Sequence, residues 1–227
     1  MSRFVLIPGA GGAGWYWHRV VPLLAAAGHQ AVALDLPADD ETAGLPEYAD
    51  LAAAAARQDG GDGGTVLVAQ SLGGFTAPLV CDRVPVDLLV LLNAMIPEPG
   101  ETAGDWWENT GVTPARDAAA QAGGYPPGYD LETYFLHDVP PEIAAAGEPY
   151  QKPEAEIAFA QPCDIKEWPA VPTRVVAGRD DRFFPVAFQR RVARDRLGLG
   201  TDEVPGGHLA ALSYPAELAD RLLAYLA

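Results

Sequence analysis

The chain has little from which to build cross-links, metal centres or cationic surfaces. It carries 2 cysteines, Cys81 and Cys163, in no CxxC or Cys/His cluster. That argues against a disulfide framework or a zinc site and leads us to expect a reducing, cytoplasmic setting with no metal and no cofactor. Lysine and arginine together number 15 against 31 aspartates and glutamates, a net charge of −16. So negative a surface repels nucleic-acid phosphates and anionic lipid headgroups, so neither nucleic acid nor a membrane is expected as a partner. Long apolar runs are missing too. The run Phe4 to Ile7 stops at Pro8-Gly9, far short of a signal-peptide core or a bilayer span, and no later run reaches membrane length. No internal repeat is visible.

What is present is an apolar content of 49% in 227 residues, enough for one well-buried core. Short β-branched and leucine-rich runs predict strands at Phe4–Ile7, Gln30–Asp35, Thr65–Gln70, Val86–Asn93, Thr173–Ala177 and Thr201–Val204. Between them, helical spacing predicts helices at His18–Ala27, Pro46–Gln58, Gly73–Val84, Pro185–Leu197 and Pro215–Ala227, several opening on a first-turn proline. Strand and helix in alternation imply an α/β fold, a mostly parallel sheet covered on both faces. The unbroken apolarity of TVLVA and VDLLVLL fits strands buried on both sides. The pattern lapses over 97–165, which is rich in Pro, Gly and aromatics. Disordered linkers are poor in aromatics, so this stretch reads as a cap inserted into a core made of 1–96 and 166–227.

One strand runs into a helix through Ala69-Gln70-Ser71-Leu72-Gly73. A tight strand-to-helix turn forces the residues two before and two after its apex to be small, and it projects the apex side chain at the C-terminal edge of the sheet. Ser71 is thus a candidate nucleophile, although a serine there could also simply cap the helix. A serine hydroxyl needs a general base, and the base needs an orienting carboxylate. Of the 4 histidines, His208 lies in a Gly-rich loop after the last strand, at the same sheet edge. His18 and His29 flank the first helix, and His137 falls in the cap as a possible substrate contact. Asp180 and Asp181 both follow the strand that ends at Ala177. An acyl-transfer site further needs two N–H donors for the oxyanion, one of which the turn supplies from Leu72.

The order Ser71, Asp181, His208 along the chain, the small-x-Ser-x-Gly turn and Gly178-x-x-Asp181-x-x-x-Pro185 resemble the α/β-hydrolase superfamily. The resemblance implies an α/β-hydrolase fold, favours Asp181 over Asp180 as the acid, and implies Ala10 as the second oxyanion donor, in a loop where Pro8 stands for the family's usual histidine. GAGGAGWYWHRVVPLLAAAGHQAVALDLP with LPEYAD is similar to the plant methylesterase and hydroxynitrile lyase branch and its bacterial esterase relatives. Lyases of that branch add a threonine in the oxyanion loop and a lysine after the histidine. Gly9 and Leu209 stand there in this chain, which favours ester hydrolysis over cyanohydrin cleavage.

A nicotinamide-dependent oxidoreductase of the short-chain type competes for the same glycines, because Gly9-x-Gly11-x-x-Gly14 follows a strand and Asp35 ends the next. Against it, Trp15-Tyr16-Trp17 crowd the third glycine, and neither Lys152 nor Lys166 has a tyrosine four residues before it. A catalytically dead binding protein on the same fold is a further alternative, opposed by three filled triad positions. The expectation is therefore a serine hydrolase acting on a small, largely apolar ester, with Gly11, Trp107, Tyr134, His137 and Phe159 as candidate substrate contacts.

Overall fold

The computed structural model describes residues 1–58 and 63–226. Six strands form one sheet: β1 (Arg3–Ile7), β2 (Gln30–Ala33), β3 (Thr65–Gln70), β4 (Leu88–Leu92), β5 (Thr173–Gly178) and β6 (Thr201–Val204). Their order is β2-β1-β3-β4-β5-β6 and every pairing is parallel. The expected strands are all there, though β2 and β4 are shorter than expected. The β2 register ends at Ala33, where Leu34 N makes a last bond to Leu6 O at 3.1 Å, and the Asp35 carboxylate turns back to accept from the Gly14 amide at 2.8 Å.

Residues alternate between the two faces. Val5, Ile7, Leu67, Ala69, Leu89, Leu91 and Val175 pack with α2 (Leu45–Ala56), α3 (Gly73–Cys81) and α8 (Val186–Leu197). Phe4, Leu6, Val66, Val68, Val90, Leu92 and Val176 pack with α1 (Val21–Ala26), α9 (Ala210–Ser213) and α10 (Pro215–Ala224). The central strands β1, β3 and β4 are therefore apolar on both sides, which is why they read as unbroken runs, whereas the edge strand β6 buries only Val204. The first expected helix begins late, because Gly14–Trp17 makes a separate 3-10 turn that buries Trp17 completely. In the expected helix Pro215–Ala227, Ala227 lies outside the described residues.

The chain passes from β1 to the sheet edge at β2 and then returns to β3 on the other side of β1. At such a switch point the loops after β1 and β3 diverge and leave a crevice above the C-terminal ends of the strands. Between β4 and β5 the chain covers that crevice with α4 (Ala103–Thr110), α5 (Val112–Gly123), one π-helical turn (Glu132–Leu136), α6 (Pro141–Gly147) and α7 (Glu156–Ala160). These helices went unseen in the sequence because each buries few side chains and all but the twelve-residue α5 are short.

Candidate active site

The turn after β3 carries Ser71 at φ +51, a left-handed conformation that a non-glycine residue adopts only when its surroundings impose it. Here they do. Ser71 N donates to Leu92 O at 3.3 Å, and its carbonyl accepts from Gly74 N and Met95 N, each at 3.0 Å. A methyl group on Gly73 would sit 2.7 Å from Pro8 O, so helix and loop approach too closely for any side chain there.

His208 Nε2 lies 3.1 Å from Ser71 Oγ, and Nδ1 lies 2.8 Å from Asp181 Oδ2. With Nδ1–H donating to the carboxylate, Nε2 is left as the acceptor facing the hydroxyl. Asp181 is held in turn: Oδ1 accepts from the amides of Phe183 and Phe184, each at 2.8 Å, and Gln189 Nε2 donates to Oδ2 at 3.1 Å. Asp180 points elsewhere and accepts from Gly206 N at 3.3 Å. The rings of Phe135, Phe183 and Phe184 stand around the imidazole at 5.0 to 5.2 Å and leave His208 1% exposed. All three polar side chains are buried, so their mutual bonds act in a low-dielectric setting where they are strong.

Two further groups hold the loop that bears His208. Asn93, buried at φ +45 just after β4, accepts from Gly178 N at 2.6 Å and donates to the carbonyls of Gly207 and His208 at 3.1 and 3.2 Å. Asp138 reaches down from the overlying segment and accepts from Gly207 N at 2.6 Å. Neither was visible beforehand, since an asparagine after a strand and an aspartate in a loop are ordinary in sequence.

Ser71, Leu72, Gly9 and Ala10 open on a cavity of ≈ 590 Å³. Of the expected contacts, Gly11, Trp107 and Phe159 line it. Tyr134 and His137 do not. Tyr134 is fully buried, donates to Pro126 O at 2.8 Å and faces Arg116. His137 packs behind Gly207 beside Asp138, where burial lowers its pKa and the Asp138 charge opposes that shift. Trp15, Tyr129, Phe135 and Tyr150 line the cavity instead, Tyr129 and Tyr150 being exposed at its mouth. Among the described residues Lys152 is the one lysine or arginine lining it, and it pairs with Asp39 at 3.3 Å. Neither Ala10 N nor Leu72 N donates to a protein acceptor among the described residues.

A family model described as "Alpha/beta hydrolase family" matches residues 4–221. The chain belongs to the alpha/beta hydrolase family. Among relatives, a probable esterase, PIR7A, of Oryza sativa subsp. indica is 40% identical over 116 residues, covering 45% of this chain and 43% of that protein. The matched stretch thus spans less than half of that relative. Polyneuridine aldehyde esterase of Rauvolfia serpentina is 24% identical over 252 residues, covering 98% of this chain and 94% of the other. The crystal structure of polyneuridine aldehyde esterase superposes with a TM-score of 0.79 at 21% identity, covering 99% of both chains.

The glycine-rich loop leaves few amides for a phosphate. Gly12 N donates to Gly9 O, Gly11 N to Glu154 and Gly14 N to Asp35, so the amides a dinucleotide would need are already engaged. Among the described residues no helix is long and apolar enough to cross a membrane.

Proposed function

We propose that the protein is a serine esterase that cleaves small, largely apolar and uncharged esters through an acyl-enzyme on Ser71. The carrying observation is the line Ser71 Oγ to His208 Nε2 at 3.1 Å and His208 Nδ1 to Asp181 Oδ2 at 2.8 Å, beside two free backbone amides. As Oγ attacks the ester carbonyl, its proton passes to Nε2, and the imidazolium that forms is stabilised by Asp181. The carbonyl oxygen takes negative charge and turns toward the amides of Ala10 and Leu72 at the positive end of α3. Collapse of this intermediate expels the alcohol, which takes the proton from Nε2. Water then enters, loses a proton to His208 and releases the acid. The segment over the crevice serves as the cap that keeps bulk water from the acyl-enzyme.

The names of the relatives, esterases among them, support ester hydrolysis. The site itself speaks against cyanohydrin cleavage. Leu209 lines the cavity where a cation would be needed, and a methyl group on Gly9 would lie 2.8 Å from Ser71 Cβ, leaving no room for threonine. The aromatic lining and the paired state of Lys152 suit a neutral substrate rather than a carboxylate. The test offers the enzyme a chromogenic short-chain ester and, separately, mandelonitrile. Acid release from the ester is expected, with no benzaldehyde from the nitrile. Efficient nitrile cleavage without ester turnover would reverse the assignment.

A further inference from the structure

The loop after β1 is a β-turn, closed by Gly12 N donating to Gly9 O at 3.1 Å, with Gly11 at φ +85. A positive φ at the third position marks a type II turn, which differs from type I by a flip of the central peptide, here Ala10–Gly11. That peptide carries the Ala10 carbonyl and the Gly11 N–H, while the Ala10 N–H belongs to the preceding Gly9–Ala10 peptide, so a group that holds the Gly11 N–H acts on the Ala10 amide by fixing where the turn sits. Ala10 itself is exposed and its side chain fixes nothing.

One group holds the central peptide. Glu154 Oε2 accepts from Gly11 N at 2.7 Å, while Oε1 accepts from the hydroxyl of Tyr48, a buried residue of α2, also at 2.7 Å. Glu154 belongs to the stretch between α6 and α7, and that stretch is pinned. Ala155 N donates to Ala38 O at 2.7 Å, Lys152 pairs with Asp39, and Lys152 O lies 2.9 Å from where a Gly11 Cβ would be. The carboxylate therefore spans three parts of the fold that are remote in sequence: overlying segment, helix α2 and glycine loop.

We propose that Glu154 is a positioning residue for the oxyanion hole: by gripping the Gly11 amide it anchors the turn to the overlying segment, and so holds in place the adjoining Gly9–Ala10 peptide whose N–H meets the substrate carbonyl. The proposal rests on the acyl-transfer reading above. Glu154 touches no reacting atom, and its bond is the same before and during reaction. What it supplies is preorganisation, which counts only when charge develops on the carbonyl oxygen. Glutamine reproduces both contacts, with Oε1 accepting from Gly11 and Nε2 donating to the Tyr48 oxygen. Alanine reproduces neither. Aspartate keeps the charge but is one methylene too short to reach both partners.

The experiment measures kcat and KM for a chromogenic ester in wild type, Glu154→Ala, Glu154→Gln and Glu154→Asp, with affinity for two inhibitors sharing its acyl group. One is a trifluoromethyl ketone, which forms an oxyanion on a serine. The other is the matching methyl ketone, which stays trigonal. In Glu154→Ala, kcat is expected to fall about 10- to 100-fold with KM within about twofold, and trifluoromethyl ketone affinity to fall in parallel. Methyl ketone affinity should hold. Glu154→Gln should lose at most about threefold and Glu154→Asp at least about fivefold, a ranking that is readable even if the alanine variant does not fold. Unchanged kcat in the alanine or aspartate variant would overturn the proposal. So would a loss confined to KM, or a glutamine variant as impaired as alanine. A wild type that turns over no ester and forms no adduct with the trifluoromethyl ketone would instead sink the esterase reading itself.

Discussion

Below the crevice the chain places its functional groups with backbone; above it, with carboxylates. Ser71, Asp181 and His208 stand at the ends of β3, β5 and β6, each at a point that sheet geometry fixes. The segment 93–172 has no strand in the sheet; beside bonds such as Ala155 N to Ala38 O and Leu45 N to Gln161 Oε1, it is fastened by acidic side chains. Glu101 pairs with Arg196 of α8, Asp138 takes the Gly207 amide and Glu154 takes the Gly11 amide. Two of those three carboxylates seize loops that carry the site. Damage below the crevice should therefore abolish chemistry, and damage above it should loosen or mis-set a site whose parts are all still present.

The largest effects belong below. Ser71→Ala or His208→Ala should each lower kcat by about 10⁴- to 10⁶-fold, and the double variant should lose little more than either alone. Additive losses would mean that the two groups do not work as one. Asp181→Asn should cost about 10⁴-fold by spoiling the imidazole tautomer, while Asp180→Asn, whose side chain bonds to the Gly206 amide and not to the ring, should stay within about threefold. The reverse ranking in steady-state kinetics would move the acid to Asp180.

The next effect breaks the comparison from above. Arg196 and Glu101 are both buried, with Arg196 Nη2 to Glu101 Oε1 at 2.8 Å. Burial pushes the Glu101 carboxyl up, but bonds from Arg196, Asn109 and the Glu98 amide outweigh it and hold the carboxyl below its ordinary value. Glu101→Gln leaves a buried guanidinium unpaired and should cost about 3 to 5 kcal/mol at neutral pH by denaturant unfolding. A depressed carboxyl pKa contributes stability that is present above the unfolded value and lost as pH falls through the folded one. The gap in Tm between wild type and Glu101→Gln should therefore narrow below about pH 4.5. A gap independent of pH would show that the ion pair is not what anchors the segment.

Smaller effects sharpen the boundary of the cavity. Trp107→Ala or Phe159→Ala should weaken binding of an apolar ester by about 1 to 3 kcal/mol, read in kcat/KM across acyl chain lengths. Tyr134→Phe only loses its bond to Pro126 O, so it should cost about 1 kcal/mol of stability and leave that chain-length profile alone. A changed profile would return Tyr134 to the substrate.

What was legible in the sequence follows the same division. Pattern located all six strands and five of the helices that cover them, missing the short α9, because the central parallel strands are apolar throughout and a packed helix must repeat near every third or fourth residue. It also brought Ser71, Asp181 and His208 to one edge, since their positions follow from strand ends. Glu154, Asp138 and Asn93 stayed hidden, because one carboxylate or amide reaching an amide across the fold leaves no periodic trace. That Tyr134 and His137 stand outside the cavity lining stayed hidden for a related reason. Aromatic content announced a packed segment, but only the fold decides which rings turn inward to Arg116 or Gly207 and which, like Trp15 and Tyr150, face the cavity.

The most direct test of the account is intact-protein mass measurement on enzyme quenched with acid during turnover of a slow-deacylating ester. The account predicts a mass increase of one acyl group in wild type, located on Ser71 by peptide mapping and absent from Ser71→Ala, with a matching burst of alcohol. Steady ester turnover with no acyl group on Ser71, or unimpaired turnover by Ser71→Ala, would contradict it.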